Sequence, residues 1–359
     1  MTSLSETLYT EISDGARLAL RPVASVLMLT YNHGAYLSQA IESVLAQKTT
    51  FPFEILIGED CSTDETRAIA LKYQREKPDR VRVIAWDSNV GMHRNHNHLM
   101  ETARGEFIAF CEGDDYWLGT AKLQQQVEFM HAHPECGLVH GNYLNLNYIA
   151  GAWRTRVAFR IRRQLQCRSG YIYSAMLQAN RIQTCTVLCR RRLVADYLGC
   201  GLGVDGYTVC DWPLSLYIAH RSKVGFIDRP IAAYRKTPGS VMNSGSAAAL
   251  KQRLDAIGMV GDFCDFFGDD ATVRRAALAA QHRALFWLAF QDGDRNSFAQ
   301  AWEWLSQHSP GALSSGRVLA MRVLIRFSPL RRATIRVLSA GVAIKHRIQF
   351  RGDDGRRMG

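Results

Sequence analysis

The chain has 359 residues, 47% hydrophobic and 21% charged, which is enough apolar content for a core and excludes a disordered, collagen-like or disulfide-knotted protein. Its formal net charge of +11 is uneven, because residues 311–359 hold eleven Lys/Arg against only Asp353 and Asp354. The rest is close to neutral, which argues against a nucleic-acid-binding face.

The nine cysteines include no CxxC pair, match no zinc spacing and cannot all pair. The opening MTSLSETLYTEISDG has no secretory pattern, and no run of about 18 apolar residues offers a membrane span. A reducing, cytoplasmic compartment is expected.

Residues 1–22 read as an extension with little pattern. From Ala24 the run SVLMLTYN is continuously apolar, as in a buried parallel strand. After Gly34, LSQAIESVLAQ places Leu37, Ile41, Val44 and Leu45 on one helical face. FEILIGED reads as a second strand, and Ser62, Thr63 and Asp64 cap the helix TRAIALKYQREK. VRVIAW (81–86) is a third strand, and a helix over Arg94–Ala103 leads to a fourth, EFIAFCEGDDYW. Such alternation predicts an open, mostly parallel α/β sheet flanked by helices, with right-handed crossovers. Ligands in these sheets gather at the carboxyl ends of the strands, where TYN, GED and EGDD fall.

Further on, 121–133 reads as a helix and CGLVHGNY (136–143) as a strand. Residues 151–170, with six Arg and no acid, read as a solvated basic loop. Residues 224–235 read as strand–turn–strand, and PGSVMNSGS (238–246) as a linker. The pattern is helical after that.

Glu112-Gly113-Asp114-Asp115 closes an apolar strand with three acids, an arrangement that repels itself unless a cation compensates. Mg²⁺ or Mn²⁺ takes one or two such carboxylates together with substrate phosphates. The other reading is an acidic turn ahead of the helix near Thr120. Asp60 ends the second strand and Thr30-Tyr31-Asn32 the first. With SVLMLTYNHGAYLSQAIESVLAQ, EILIGEDCSTDETRAIA, NVGMHRNHNHLMETARGEFIAFCEGDDYW and VCDWPLSLYIA in order over 23–240, the sequence resembles the family 2 glycosyltransferases of the GT-A fold.

The resemblance implies a sugar transfer from a nucleoside-diphosphate donor with inversion at the anomeric carbon. It assigns Thr30, Tyr31 and Asn32 to the nucleotide pocket, Asp60 to the base and Asp114 to the ribose and metal. Asp115 becomes the principal ligand of Mn²⁺ or Mg²⁺, and Asp211 the catalytic base. Arg94 stands where a basic residue can reach the diphosphate. Glu112 replaces the Asp of many relatives and either touches the metal or shapes the turn. Asp205 is a rival base, and Asp211 also reads as a helix cap ahead of Pro213. Tyr234-Arg235 either closes the donor pocket or sits in a surface ion pair. His93, His96 and His98 invite a metal reading or plain polar surface. Phe286, Trp287, Trp302 and Trp304 read as helix packing or as a sugar platform.

The expected organisation is an extension (1–22), a transferase domain (23–240), a helical accessory region (241–312) and a basic amphipathic tail (313–359). The tail interleaves Arg with apolar residues, as helices lying in a headgroup interface do. A peripheral enzyme at the inner face of the cytoplasmic membrane is therefore expected. Its donor would be a UDP-sugar and its acceptor a saccharide or lipid-linked sugar of surface polysaccharide or lipopolysaccharide, with no nucleic acid involved. A sugar-1-phosphate nucleotidyltransferase would need a Gly-rich, basic loop after the first strand, which TYNHGAYL is not. A non-catalytic sugar-nucleotide-binding protein would have no need of Asp211.

Overall fold

The computed structural model describes residues 8–149, 152–157, 169–202, 206–237, 246–327 and 329–335. Continuous apolar strands must be covered on both faces, and the first compact unit, Met1–Ser244, does this. Strands β2 (Ala24–Thr30), β3 (Phe53–Glu59), β4 (Val81–Trp86) and β5 (Phe107–Phe110) pair in parallel in the order β4-β3-β2-β5. Helices α1 (Leu37–Leu45), α2 (Thr66–Glu76) and α3 (Gly91–Thr102) are the crossovers. Val26, Met28, Ile55, Ile57 and Val83 pack with Leu37, Ile41 and Val44 of α1 into one core.

The sheet then continues as a mixed one. Strand β9 (Leu188–Arg190) pairs antiparallel with β5 and with β7 (Cys136–Ile149), and β7 pairs in parallel with β10 (Lys223–Lys236). Strand β6 (Tyr116–Trp117) is antiparallel to β10 at the far edge. The stretch EFIAFCEGDDYW is thus two strands: the chain leaves the sheet centre at β5, turns through the acids and rejoins the sheet as β6. Helices α4 (Lys122–Ala132), α5 (Tyr173–Gln178), α6 (Arg191–Gly199) and α7 (Asp211–Arg221) complete the unit.

Three expectations are corrected. Within the extension, β1 (Tyr9–Ile12) adds an antiparallel edge to β4, held by the Tyr9 ring on Trp86 and by Glu11 on the Arg82 guanidinium (2.9 Å). Within the Arg-rich stretch, β8 (Ala152–Val157) pairs antiparallel with β7, drawing its backbone hydrogen bonds from a neighbour rather than from its own pattern. Residues 224–235 form one strand, in which Asp228-Arg229-Pro230 makes a bulge with register shifts instead of a turn.

Next to the strand starts lies a buried ion network. The Glu54 carboxylate accepts from Ser25 Oγ (2.6 Å), Arg104 N (3.0 Å), Arg104 Nε (2.8 Å) and Arg82 (3.2 Å).

The second unit, Gly245–Gly359, contains α8 (Ser246–Phe267), α9 (Ala271–Asp292), α10 (Arg295–His308) and α11 (Gly316–Leu324). Asp270, Asp294 and Ser315 cap α9, α10 and α11 by accepting from their first-turn N–H groups. Gly293 ends α9 at φ 90°, a left-handed conformation that favours glycine. Leu285, Phe286, Phe290, Phe298 and Leu305 form its core, with Trp287, Trp302 and Trp304 packed against them, which supports the packing role of these rings. Most of the linker, 238–245, lies outside the described residues. Among the described residues, no helix is long and apolar enough to cross a membrane.

Candidate active site

The carboxyl ends of β2 and β3 are laced together. Thr30 is buried, with its hydroxyl donating to Gly58 O (3.1 Å). Asn32 takes φ 55°, a region Asn tolerates, and there its N–H donates to Ser62 Oγ (3.0 Å) while its Oδ1 accepts from Thr63 N (2.9 Å). Tyr31 between them leaves its ring exposed. Asp60 is buried and caps α3, its two oxygens accepting from Val90 N (2.7 Å) and Gly91 N (3.0 Å). Burial raises its pKa, and those N–H groups oppose the rise.

The acid turn rests on this platform. Gly113 N donates to Leu29 O (2.9 Å), and a Cβ at Gly113 would lie 2.6 Å from Thr30 Cγ2 and 2.8 Å from His33 Nδ1. Only glycine allows so close an approach. The three acids then take different environments. Asp115 is buried, its Oδ1 accepting from Arg235 N (2.8 Å) and its carboxylate also meeting the Cys185 thiol. Asp114 is half-buried, with Oδ2 accepting from Thr237 Oγ1 (3.2 Å). Glu112 carries a buried Oε2 with no hydrogen-bond partner among the described residues. Burial raises its pKa to about 8, and the charges of Asp114 and Asp211 add to the effect.

Arg235 fastens the turn. Besides its N–H on Asp115, its guanidinium donates to Asp114 O (2.8 Å) and to Gln39 Oε1, and it stacks on the Tyr116 (4.6 Å) and Tyr36 (5.3 Å) rings. It is buried, so the surface-ion-pair reading does not hold for it. Lys122, buried over the Trp117 ring at 3.7 Å and donating to Gln126, is driven down to about 7 by burial. At neutral pH it brings only a partial positive charge to the acids.

Asp211 opens α7 with a half-buried carboxylate that accepts from Thr184 Oγ1 (2.9 Å) and Asn180 Nδ2 (3.4 Å). Burial raises its pKa against these bonds. Sequence reasoning missed Thr184 and Asn180, since the stretch they occupy carries no periodic or acidic signal. Asp205 lies outside the described residues.

A divalent cation suits this arrangement of charge. The unpartnered Glu112 oxygen beside Asp114 is what such an ion would satisfy. Among the described residues, no three His, Cys, Asp or Glu side chains converge as a ready-made cage. Asp115 does not fit the role of principal ligand, because its carboxylate is turned inward onto the Arg235 backbone and the Cys185 thiol. Arg94 is exposed and lies over the Trp86 ring at 5.4 Å, not against the acids. His96 is buried and stacked on Phe110, and burial lowers its pKa to about 4. It therefore belongs to the core.

Residues 25–191 match the family model described as Glycosyl transferase family 2. Over 247 residues the chain is 30% identical to an uncharacterised protein of Mycobacterium tuberculosis, covering 65% of this chain and 68% of that one. It is 36% identical over 110 residues to TuaG of Bacillus subtilis, named as a teichuronic acid biosynthesis glycosyltransferase, covering 31% of this chain and 42% of that one. Among solved structures, S. aureus TarS 1–349 in complex with UDP-GlcNAc aligns with a TM-score of 0.60 at 17% identity, over 86% of this chain and 87% of that one. The mannosyltransferase PcManGT of Pyrobaculum calidifontis in complex with GDP-Man and Mn²⁺ gives 0.54 at 18%, over 88% and 84%. At these identities the structural likeness is one of fold.

Proposed function

The chain belongs to glycosyltransferase family 2 and is a glycosyltransferase of the GT-A fold, and on that premise we propose that it is inverting and metal-dependent, with Asp211 as general base. The donor is a UDP-sugar, and the acceptor is a saccharide or lipid-linked sugar in surface-polysaccharide assembly at the membrane. The UDP-GlcNAc bound to TarS supports the donor class, the naming of TuaG supports the acceptor class, and the Mn²⁺ of PcManGT supports the cation.

One observation carries this reading. The Glu112 carboxyl feels the charge of both Asp114, two residues on, and Asp211, 99 positions away in sequence. Acids from two distant segments thus lie near enough for their charges to interact, which supports a site with a leaving diphosphate on one side and a base on the other.

Asp114 with Glu112 beside it would hold Mn²⁺ or Mg²⁺, donor phosphates filling the remaining positions. When bound, the cation neutralises the charge that develops on the departing diphosphate. Tyr31 offers its exposed ring to the base, and Asp60 holds the adjoining helix start. Asp211 takes the proton of the acceptor hydroxyl as its oxygen bonds to the anomeric carbon and the bond to the diphosphate breaks. Burial raises the proton affinity of Asp211, and Thr184 and Asn180 aim it.

The test is a screen of nucleotide sugars for Mn²⁺-dependent hydrolysis and transfer. Asp211→Asn should keep donor binding and lose about 10²–10⁴-fold in turnover, the usual worth of a general base. Unchanged turnover in this variant sinks the base assignment, and failure to bind any nucleotide sugar sinks the donor class.

A further inference from the structure

Helix α11 turns one apolar face inward and another outward. Val318, Met321, Leu324 and Ile325 join the core of the helical unit. Leu319 and Val323, one turn apart, are 50% and 59% exposed, and beyond the helix Phe327 and Leu330 are 51% and 56% exposed. A solvated helix carries charged groups on that side instead, and adjoining large apolar side chains at a surface mark a docking face.

The charges on this segment are of one sign. Arg322, Arg326 and Arg332 are exposed, and no Asp or Glu occurs between residues 313 and 352. Arg322 is steadied by the Trp302 ring at 4.8 Å. A nucleic acid would take the arginines and leave four large apolar side chains in water. A neutral apolar partner would cover the side chains and leave the arginines without counter-charge. An anionic lipid surface meets both needs, with acyl chains for the apolar groups and phosphates for the guanidinium groups.

We propose that the outer face of α11, formed by Leu319 and Val323 and continued by Phe327 and Leu330, inserts into the headgroup boundary of a bilayer containing anionic lipid, with Arg326 and Arg332 on its phosphates. This gives the membrane location proposed above a definite contact. It rests on the geometry of the helical unit alone, so it can fail while the donor and base assignments stand.

The test uses the full chain in flotation with vesicles of phosphatidylcholine, with and without phosphatidylglycerol. The protein floats with the anionic vesicles and stays down with the neutral ones, and high salt weakens the binding. L319E/V323E and R326E/R332E each lower the bound fraction at least tenfold. Both pairs lie on the surface, so circular dichroism and donor turnover in solution stay at the parent level. The proposal is overturned if the parent does not float, if it floats equally with neutral vesicles, or if the variants float as well as the parent. It is also overturned if light scattering finds a dimer that L319E/V323E abolishes while the parent ignores vesicles, since the occupant is then a second copy.

Discussion

Glu54, in β3, and Glu112, in the turn between β5 and β6, are answered in opposite ways. Glu54 has a hydroxyl, a backbone N–H and two guanidinium groups around it. Among the described residues, Glu112 has an unpartnered oxygen, two acids whose charge raises its pKa, and a lysine whose own pKa burial lowers to about 7. The fold supplies full counter-charge to Glu54 and little to Glu112, where the proposed function has a cation bring it. Buried charge by itself therefore does not mark a site; buried charge left incomplete does.

The largest effect should come from taking the complete cluster apart. Glu54→Ala leaves Arg104 without its carboxylate and Arg82 with Glu11 alone, and should cost about 3 kcal/mol in denaturant unfolding. A loss under about 1 kcal/mol would mean that the network contributes little. A smaller effect is expected at His282, in the helical unit, which solves burial in a third way by remaining neutral. Its ring is buried and stacked on Trp304 at 4.3 Å, and burial together with nearby His308 lowers its pKa to about 4. The folded state therefore refuses a proton that the unfolded chain accepts below about 6.5. Stability should fall as pH drops from about 6.5 towards 4, by on the order of 2 kcal/mol. His282→Phe should reduce that slope in thermal melts and leave the share of His96, which burial also lowers to about 4, and an unchanged slope would assign it to other groups. The smallest effect belongs to Glu112→Gln, which replaces a carboxyl that burial and its acidic neighbours keep mostly protonated at neutral pH and should change metal-free stability by no more than about 1 kcal/mol. The same variant should weaken Mn²⁺-dependent donor binding in calorimetry. A Gln variant that is less stable and binds equally well would show Glu112 to be already satisfied.

Legibility in the sequence followed the same division. Strands β2 to β5 could be read because a continuous apolar run declares its burial without reference to partners. Strand β8, polar and rich in Arg, could not, since its hydrogen bonds come from β7. Asp228-Arg229-Pro230 has the composition of a turn, and only pairing with β7 makes it a bulge. In the site, the acids at the strand tips stood out by type and position. Their division of labour did not, because the inward turn of Asp115 is decided by Arg235, 120 residues later. Thr184 and Asn180 gave no signal, since hydroxyls and amides occur everywhere and only Asp211 makes these two matter.

The grip of Arg235 on the acid turn has a consequence for the order of assembly. The matched stretch 25–191 contains all three acids of the turn, yet Arg235, which fixes their arrangement, comes near the end of this unit. A nascent chain on the ribosome can complete the parallel strands β2 to β5 well before that arginine emerges. Closing so long a span is a slow step in folding. Donor-binding competence should therefore arrive late, after β2 to β5 have paired, and a fragment cut at residue 191 should fold in part while remaining blind to nucleotide sugars.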